Sequence, residues 1–135
     1  MIVQMMSPIR RTAAVTPAEL KTIRESLGFT GDALGRYLSP TVAGRTVRHW
    51  EQGKYPIPEG VVAELRRLEQ LTDSYVEESA ASLQNRTDPT MTVYRDDPEF
   101  QAARPDLANY PAAWHRAVAA RVARLIRDLR IEFPE

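Results

Sequence analysis

Apolar residues recur at helical spacing along most of the chain. Leu20 and Leu27 lie on one helical face, and the preceding Thr16 and Glu19 can form a capping box. Gly28 can adopt the left-handed conformation that ends a helix. These signals predict a first helix over residues 16–27.

Two further short helices are predicted before residue 53. Thr30 can cap the first, and Ser39-Pro40 ends it because the residue before a proline is driven out of the helical region. The next helix lies within residues 42–52. Its spacings of four and three predict a buried face of Ala43, Val47 and Trp50.

A long helix is predicted after Pro58. Its apolar positions step by four and three through Val61, Leu65, Leu68, Thr72, Tyr75 and Ser79. The stripe weakens after Leu71, and Thr72 can cap a separate helix. The sequence leaves open whether one helix or two follow.

The C-terminal part combines a strand with helices. Residues 90–94 alternate and are rich in β-branched and aromatic types, and we expect this lone strand to pair with its copy in a second subunit. Pro111 begins a last amphipathic helix.

The fold class is therefore mainly α. We expect an arm over residues 1–15, a helical domain with a long connecting helix over 16–86, and a small α+β dimerisation part with one strand per subunit over 87–135.

The composition argues against several classes of function. The 135 residues are 43% apolar and 27% charged, which is typical of one soluble globular domain, and we expect a cytoplasmic protein without a membrane segment. With no cysteine and two histidines, we expect neither a metal nor a cofactor. Because no catalytic constellation is present, we expect a protein that is not an enzyme.

The net charge is zero, but positive and negative residues are distributed unevenly along the chain. Residues 1–57 carry eight cations against four anions, residues 58–110 five against eleven, and residues 111–135 five against three. A basic N-terminal segment indicates an anionic partner for that part of the chain.

The N-terminal pattern resembles a known superfamily. TPAELKTIRESLGFTGDALGRYL followed by GRTVRHWEQGKYPIP is similar to the phage-repressor (Xre-like) helix-turn-helix superfamily, whose fold is lambda-repressor-like. VYRDDPEF and Trp114-His115-Arg116 resemble the YdiL-like group, which includes anti-CRISPR-associated regulators. One departure is that Trp50 lies twelve positions after Leu38 where the family pattern has about ten, so the turn before the third helix is longer.

A recognition surface follows from helix geometry and the resemblance. If Val47 and Trp50 face inward, the outward side of the third helix meets base edges in the major groove. Its candidate base-reading residues are Gly44, Arg45, Thr46, Arg48 and His49. The candidate phosphate-binding residues are Thr30, Gly31, Lys54 and Tyr55. Arg10 and Arg11 are more simply a solvated tail than a minor-groove arm.

The resemblance implies a sequence-specific, double-stranded DNA-binding transcriptional repressor that regulates its own operon. Residues 16–86 are then expected to be the helix-turn-helix DNA-binding domain with its connecting helix, and the protein is expected to be nucleoid-associated. Useful specificity needs two copies, so we expect a homodimer on an inverted repeat. The expected dimer interface is Met91, Val93, Tyr94, Trp114 and Val118. The alternative is an antitoxin-type module that binds and neutralises a partner protein and autoregulates its operon.

Acidic residues are interpreted structurally. Glu51 is expected to form an ion pair within the fold, with Arg24 as the candidate partner. Asp96, Asp97 and Glu99 are expected to cap helices rather than bind a metal.

Overall fold

The computed structural model describes residues 14–135. In this range the helices are α1 (Pro17–Ser26), α2 (Gly31–Tyr37), α3 (Gly44–Glu51), α4 (Glu59–Leu83), α5 (Asp97–Ala103) and α6 (Ala112–Leu125). A 3₁₀ turn (Pro105–Leu107) precedes α6, and the strands are β1 (Thr90–Thr92) and β2 (Arg130–Glu132). The predicted mainly helical fold is confirmed. Arg10, Arg11 and most of the predicted arm lie outside the described residues.

Helix α1 begins and ends where local signals predict. The Thr16 hydroxyl accepts a hydrogen bond from the Glu19 amide at 3.0 Å, and the Glu19 carboxylate accepts one from the Thr16 amide at 2.9 Å. This reciprocal capping box satisfies amides that the first turn cannot pair within the helix. Gly28 follows with φ of +78°, which a residue with a side chain rarely adopts.

The turn between α2 and α3 folds back onto α2. The Val42 amide donates to the Gly35 carbonyl at 3.0 Å, and a side chain at Gly35 would overlap the Val42 carbonyl oxygen. Helix α3 then begins at Gly44, so Ala43 is its exposed N-cap with an extended backbone. The prediction that Ala43 belongs to the buried face was wrong, because the helix starts after it. Val47 and Trp50 are buried as predicted.

Helix α4 is continuous over 25 residues, which answers the question that the sequence left open. Thr72 does not cap a second helix. Its buried hydroxyl donates to the Leu68 carbonyl at 2.7 Å and accepts from the Trp114 indole at 3.0 Å. This contact joins α4 to α6, and the buried stripe continues through Val76 and Ala80 rather than Tyr75 and Ser79.

The prediction that the chain holds one lone strand was wrong. β1 pairs in parallel with β2 of the same chain, with Thr90 opposite Arg130 and Thr92 opposite Glu132. The second strand escaped prediction because Arg130–Glu132 is only three residues long, shorter than the runs of about four to eight residues by which strands are recognised in a sequence. The expectation of one strand per subunit is therefore corrected to a two-stranded sheet within the chain.

The predicted dimer interface needs a second correction. Val93, Trp114 and Val118 are buried in the chain's own core, with exposures of 3%, 2% and 0%. A residue that is already covered cannot offer surface to a second subunit. Met91 and Tyr94, both half-buried, are the two of the five that keep exposed surface.

The acidic cluster before α5 caps helices as predicted. Asp96 accepts from the Glu99 amide at 2.9 Å, and Asp97 accepts from the Ala112 amide at 2.8 Å at the start of α6. Glu99 accepts from the Arg95 amide at 2.8 Å. In the part of the chain that the model covers, no helix is long and apolar enough to cross a membrane.

Candidate nucleic-acid interface

Helix α3 has one buried side and one exposed side. Val47 has no exposed surface and Trp50 has 5%, so this side anchors the helix in the core. Arg45 and Arg48 are exposed, and Thr46 and His49 are half-buried. An eight-residue helix with this division presents several polar side chains outward while its back is fixed.

A buried ion pair fixes the C-terminal end of α3 against α1. Arg24 Nε donates to Glu51 Oε2 at 2.6 Å, and Arg24 Nη2 donates to Glu51 Oε1 at 3.0 Å. Arg24 Nη1 also donates to the Phe29 carbonyl at 2.9 Å. The two side chains are 11% and 7% exposed. The predicted Arg24–Glu51 partnership is confirmed, and its bidentate geometry restricts how α3 can tilt.

Four of the predicted site residues form the main part of the outward face. We call Arg45, Thr46, Arg48 and His49, together with Lys54 and Tyr55, the α3 surface. Within residues 14–135, the Arg45 guanidinium donates no hydrogen bond, so its donors are available to a ligand. The Arg48 side chain is 54% exposed and lies 3.5 Å from the Asp32 carboxylate.

The loop after α3 adds a cation and an aromatic ring to this surface. Gly53 ends the helix with φ of +77°, and the Lys54 amide then donates to the His49 carbonyl at 2.9 Å. The Tyr55 ring lies edge-on to His49, with 5.6 Å between the ring centroids. The Lys54 ammonium lies 5.8 Å from the centroid of the Tyr55 ring. The structure thus brings Lys54 and Tyr55 beside the outward end of α3.

The surroundings of His49 lower its pKa. Desolvation, followed by the charges of Lys54, Arg45 and Arg48, lowers the pKa of His49 below its ordinary value. This shift favours the neutral imidazole. An anion placed against this surface would oppose the same cations and favour the charged imidazole.

The first turn of α2 contacts the first turn of α3. Gly44 is buried there, and a side chain on it would overlap the Asp32 carboxylate. Gly44 therefore lies between the two helices rather than on the outward side of α3. Gly31 is also buried, and a Cβ added to it would lie 3.5 Å from Arg48 Nη1. Both glycines allow the two helix ends to approach.

Two residues near this contact bear on the predicted phosphate site. The Thr30 hydroxyl accepts from the Ala33 amide at 3.0 Å, so it caps α2. Asp32 is exposed beside the α3 surface, and the sequence analysis missed it. The signal that could have found it is an acid two residues after a cap in the turn that faces the third helix. A phosphate contact at Thr30 and Gly31 stays a prediction.

Comparison with known proteins gives the family. A protein-family model described as Aca2/YdiL-like matches residues 15–129, which span all six helices. The chain belongs to the Aca2/YdiL-like family. It is similar to YdiL of Escherichia coli (strain K12), with 29% identity over 89 residues that cover 65% of this chain and 75% of YdiL. The resemblance to the YdiL-like group is confirmed.

Proposed function

We propose that this member of the Aca2/YdiL-like family is a sequence-specific, double-stranded DNA-binding regulator. It acts as a transcriptional repressor of its own operon and binds as a homodimer to an inverted repeat. The observation that carries this proposal is the α3 surface, where two exposed arginines, a histidine and a lysine lie on the outward side of a firmly anchored helix.

The chemistry of the α3 surface suits the major groove. That groove admits an α-helix and presents a different pattern of donors and acceptors for each base pair. An arginine can donate two hydrogen bonds to guanine O6 and N7, and each such pair is worth about 1–3 kcal/mol of discrimination. Arg45 is the best candidate, because it is exposed in the first turn of α3 and has no hydrogen-bond partner within residues 14–135.

The arrangement of the first three helices supports the same interpretation. We infer that α1 to α3 form a helix-turn-helix unit of the phage-repressor type, with α3 as the recognition helix. In support, α2 and α3 meet at their N-terminal turns, and α1 holds the other end of α3 through Arg24 and Glu51. Membership of the Aca2/YdiL-like family supports a regulator-type function.

The C-terminal sheet offers a route to a dimer. Within residues 14–135 each strand has one neighbour, so the sheet has two unpaired edges. Unpaired edges readily accept another strand. Ile131 and Phe133, at and just after β2, are 41% and 42% exposed, and the Arg95 guanidinium lies 4.2 Å from the Phe133 ring centroid. We propose that two copies associate through this sheet, which would give the two recognition helices that an inverted repeat requires.

The DNA proposal is tested by selecting bound duplexes from a random pool and then measuring affinities for the enriched duplex and a random one. Arg45→Ala should remove the preference for the enriched duplex, with a loss of about 1–3 kcal/mol confined to it. Lys54→Ala should weaken both duplexes alike and lower the salt dependence by about one phosphate contact. Failure of the wild-type protein to enrich any sequence would reject the proposal.

The dimer proposal is tested by sedimentation of the full chain. Phe133→Lys should shift the protein toward monomer, because it places a charge on the proposed contact. Leu125→Lys is the matched control, since Leu125 is 60% exposed on α6 outside the sheet. An unchanged dimer in Phe133→Lys would show that the subunits meet elsewhere, and a monomeric wild type would reject dimerisation.

A further inference from the structure

The α3 surface contains a carboxylate where a polyanion is expected to bind. Asp32 is in the first turn of α2, and its side chain is 64% exposed. Its Oδ1 atom accepts a hydrogen bond from Arg48 Nη1 at 3.5 Å. The buried Gly44 lies directly against Asp32, because a Cβ at position 44 would overlap the Asp32 carboxylate and would lie 2.9 Å from Asp32 Cα.

The pair of Asp32 and Arg48 contributes little to the stability of the fold. The Arg48 side chain is 54% exposed, and ion pairs between exposed groups contribute about 0–1 kcal/mol. The cap of α2 is already supplied by Thr30, whose hydroxyl pairs with the Ala33 amide. Asp32 gains at most a modest interaction with the positive end of a seven-residue helix.

An acid at this position would act against sequence-independent binding. Non-specific affinity for DNA comes from cations that neutralise phosphates, and each neutralised phosphate adds about 0.9 to the salt slope. Paired with Asp32, Arg48 is partly neutralised and oriented toward α2. The carboxylate also repels any phosphate that approaches α3 closely.

We propose that Asp32 is a specificity-determining residue of the α3 surface. It holds Arg48 away from the DNA backbone and penalises phosphate contact, so that tight binding occurs only where base contacts compensate. This inference rests on the proposed DNA-binding function. It assigns Asp32 a positioning role through Arg48 and a repulsive role of its own, which is a common device for discriminating between ligands.

The test compares two neutral, isosteric variants. Asp32→Asn removes the charge beside Arg48. Asp73→Asn is the control, because Asp73 is a 58% exposed carboxylate of α4 that pairs with Arg121 of α6 at 2.9 Å. Both variants raise the net charge by one, so any effect of overall charge is common to them. Affinity is measured for the enriched duplex and for a random duplex of equal length at several salt concentrations.

Asp32→Asn should bind random DNA about three to ten times more tightly at low salt, with a salt slope steeper by about one. Its preference for the enriched duplex should fall several-fold, while Asp73→Asn keeps the wild-type preference and slope. In an Arg48→Ala background, Asp32→Asn should change the slope less, because the released cation is absent. Thermal unfolding reports whether each variant is folded.

An unchanged preference in Asp32→Asn, or equal changes in both charge variants, would overturn the inference. If Arg45→Ala still removes the preference in that case, the proposed DNA-binding function stands and only the role of Asp32 fails. If the wild-type protein shows no preference for any duplex, the proposed function itself fails.

Discussion

Replacing Glu51 by alanine should be among the most destabilising single changes near α3. The substitution leaves the Arg24 guanidinium, which is 11% exposed, with the Phe29 carbonyl as its remaining hydrogen-bond acceptor and the exposed Glu25 carboxylate, at 4.0 Å, as its remaining ion-pair partner. Hydrogen bonding to Glu51 raises the pKa of Arg24 above its ordinary value, so the guanidinium stays charged. Removing one partner of a buried ion pair typically costs about 3–5 kcal/mol. Domains of this size are stable by about 5–15 kcal/mol, so the loss is a large fraction.

The free energy of unfolding is measured by urea denaturation. Trp50 lies in α3 and Trp114 in α6, so fluorescence reports on both ends of the chain, and circular dichroism checks that the transition is cooperative. Asp73→Ala is the control. It breaks the pair with Arg121, whose side chain is 46% exposed, and should cost less than about 1 kcal/mol.

A double variant distinguishes the effect of the unpaired charge from the effect of lost packing. Arg24→Met combined with Glu51→Ala removes both charges, and it should recover about 1–4 kcal/mol relative to Glu51→Ala alone, because no unpaired charge stays buried. A loss below about 1 kcal/mol in Glu51→Ala would refute the reasoning. So would a double variant as unstable as the single one, since the deficit would then lie in packing rather than in the charge.

Three further outcomes are expected. Gly44→Ala should lower the melting temperature and operator affinity, and Asp32→Ala should restore only part of the melting temperature in that background. The new methyl group overlaps the Asp32 carboxylate, which the second substitution removes, but it also lies 2.9 Å from Asp32 Cα, which stays in place. Affinity for DNA should rise as pH falls from about 7.5 to 6, and His49→Gln should flatten a titration of binding, because phosphates raise a pKa that the surrounding cations lower. Burial, and after it the charge of Arg104, lowers the pKa of His115 to about 4, so the unfolded chain binds more protons below the ordinary value of 6.5. Stability should therefore fall by roughly 3 kcal/mol as pH drops from 6.5 to 4, and urea unfolding of His115→Phe should lose this dependence.

Local signals made the N-terminal helices predictable. The Thr16 and Glu19 capping box and the stop at Gly28 depend on residues within a few positions of one another, so sequence spacing determines them. The burial of Val47 and Trp50 follows in the same way from helical periodicity. Even the partnership of Arg24 and Glu51 could be predicted, because a charged residue on the inward side of a helix needs a partner.

Contacts between distant segments could not be predicted in this way. β2 forms because Arg130–Glu132 pairs with β1, which lies forty residues earlier in the chain, and three residues are too few for this strand to be recognised from the sequence alone. The burial of Trp114 depends on the Thr72 hydroxyl of α4. The contact of Asp32 with Gly44 requires knowing how two helix ends cross, which the longer turn before α3 obscured.

Under the proposed function, the inward side of helix α3 stabilises the fold and its outward side recognises DNA. Its inward residues Val47, Trp50 and Glu51 bind it to the core and to α1, whereas Arg45 and Arg48 contribute little to the fold because they are exposed. Substitutions on the outward side should therefore change the DNA sequence that is bound while stability stays within about 0.5 kcal/mol. Asp32 is the exception that joins the two roles, because its space depends on a glycine in α3 and its charge acts on an outward arginine.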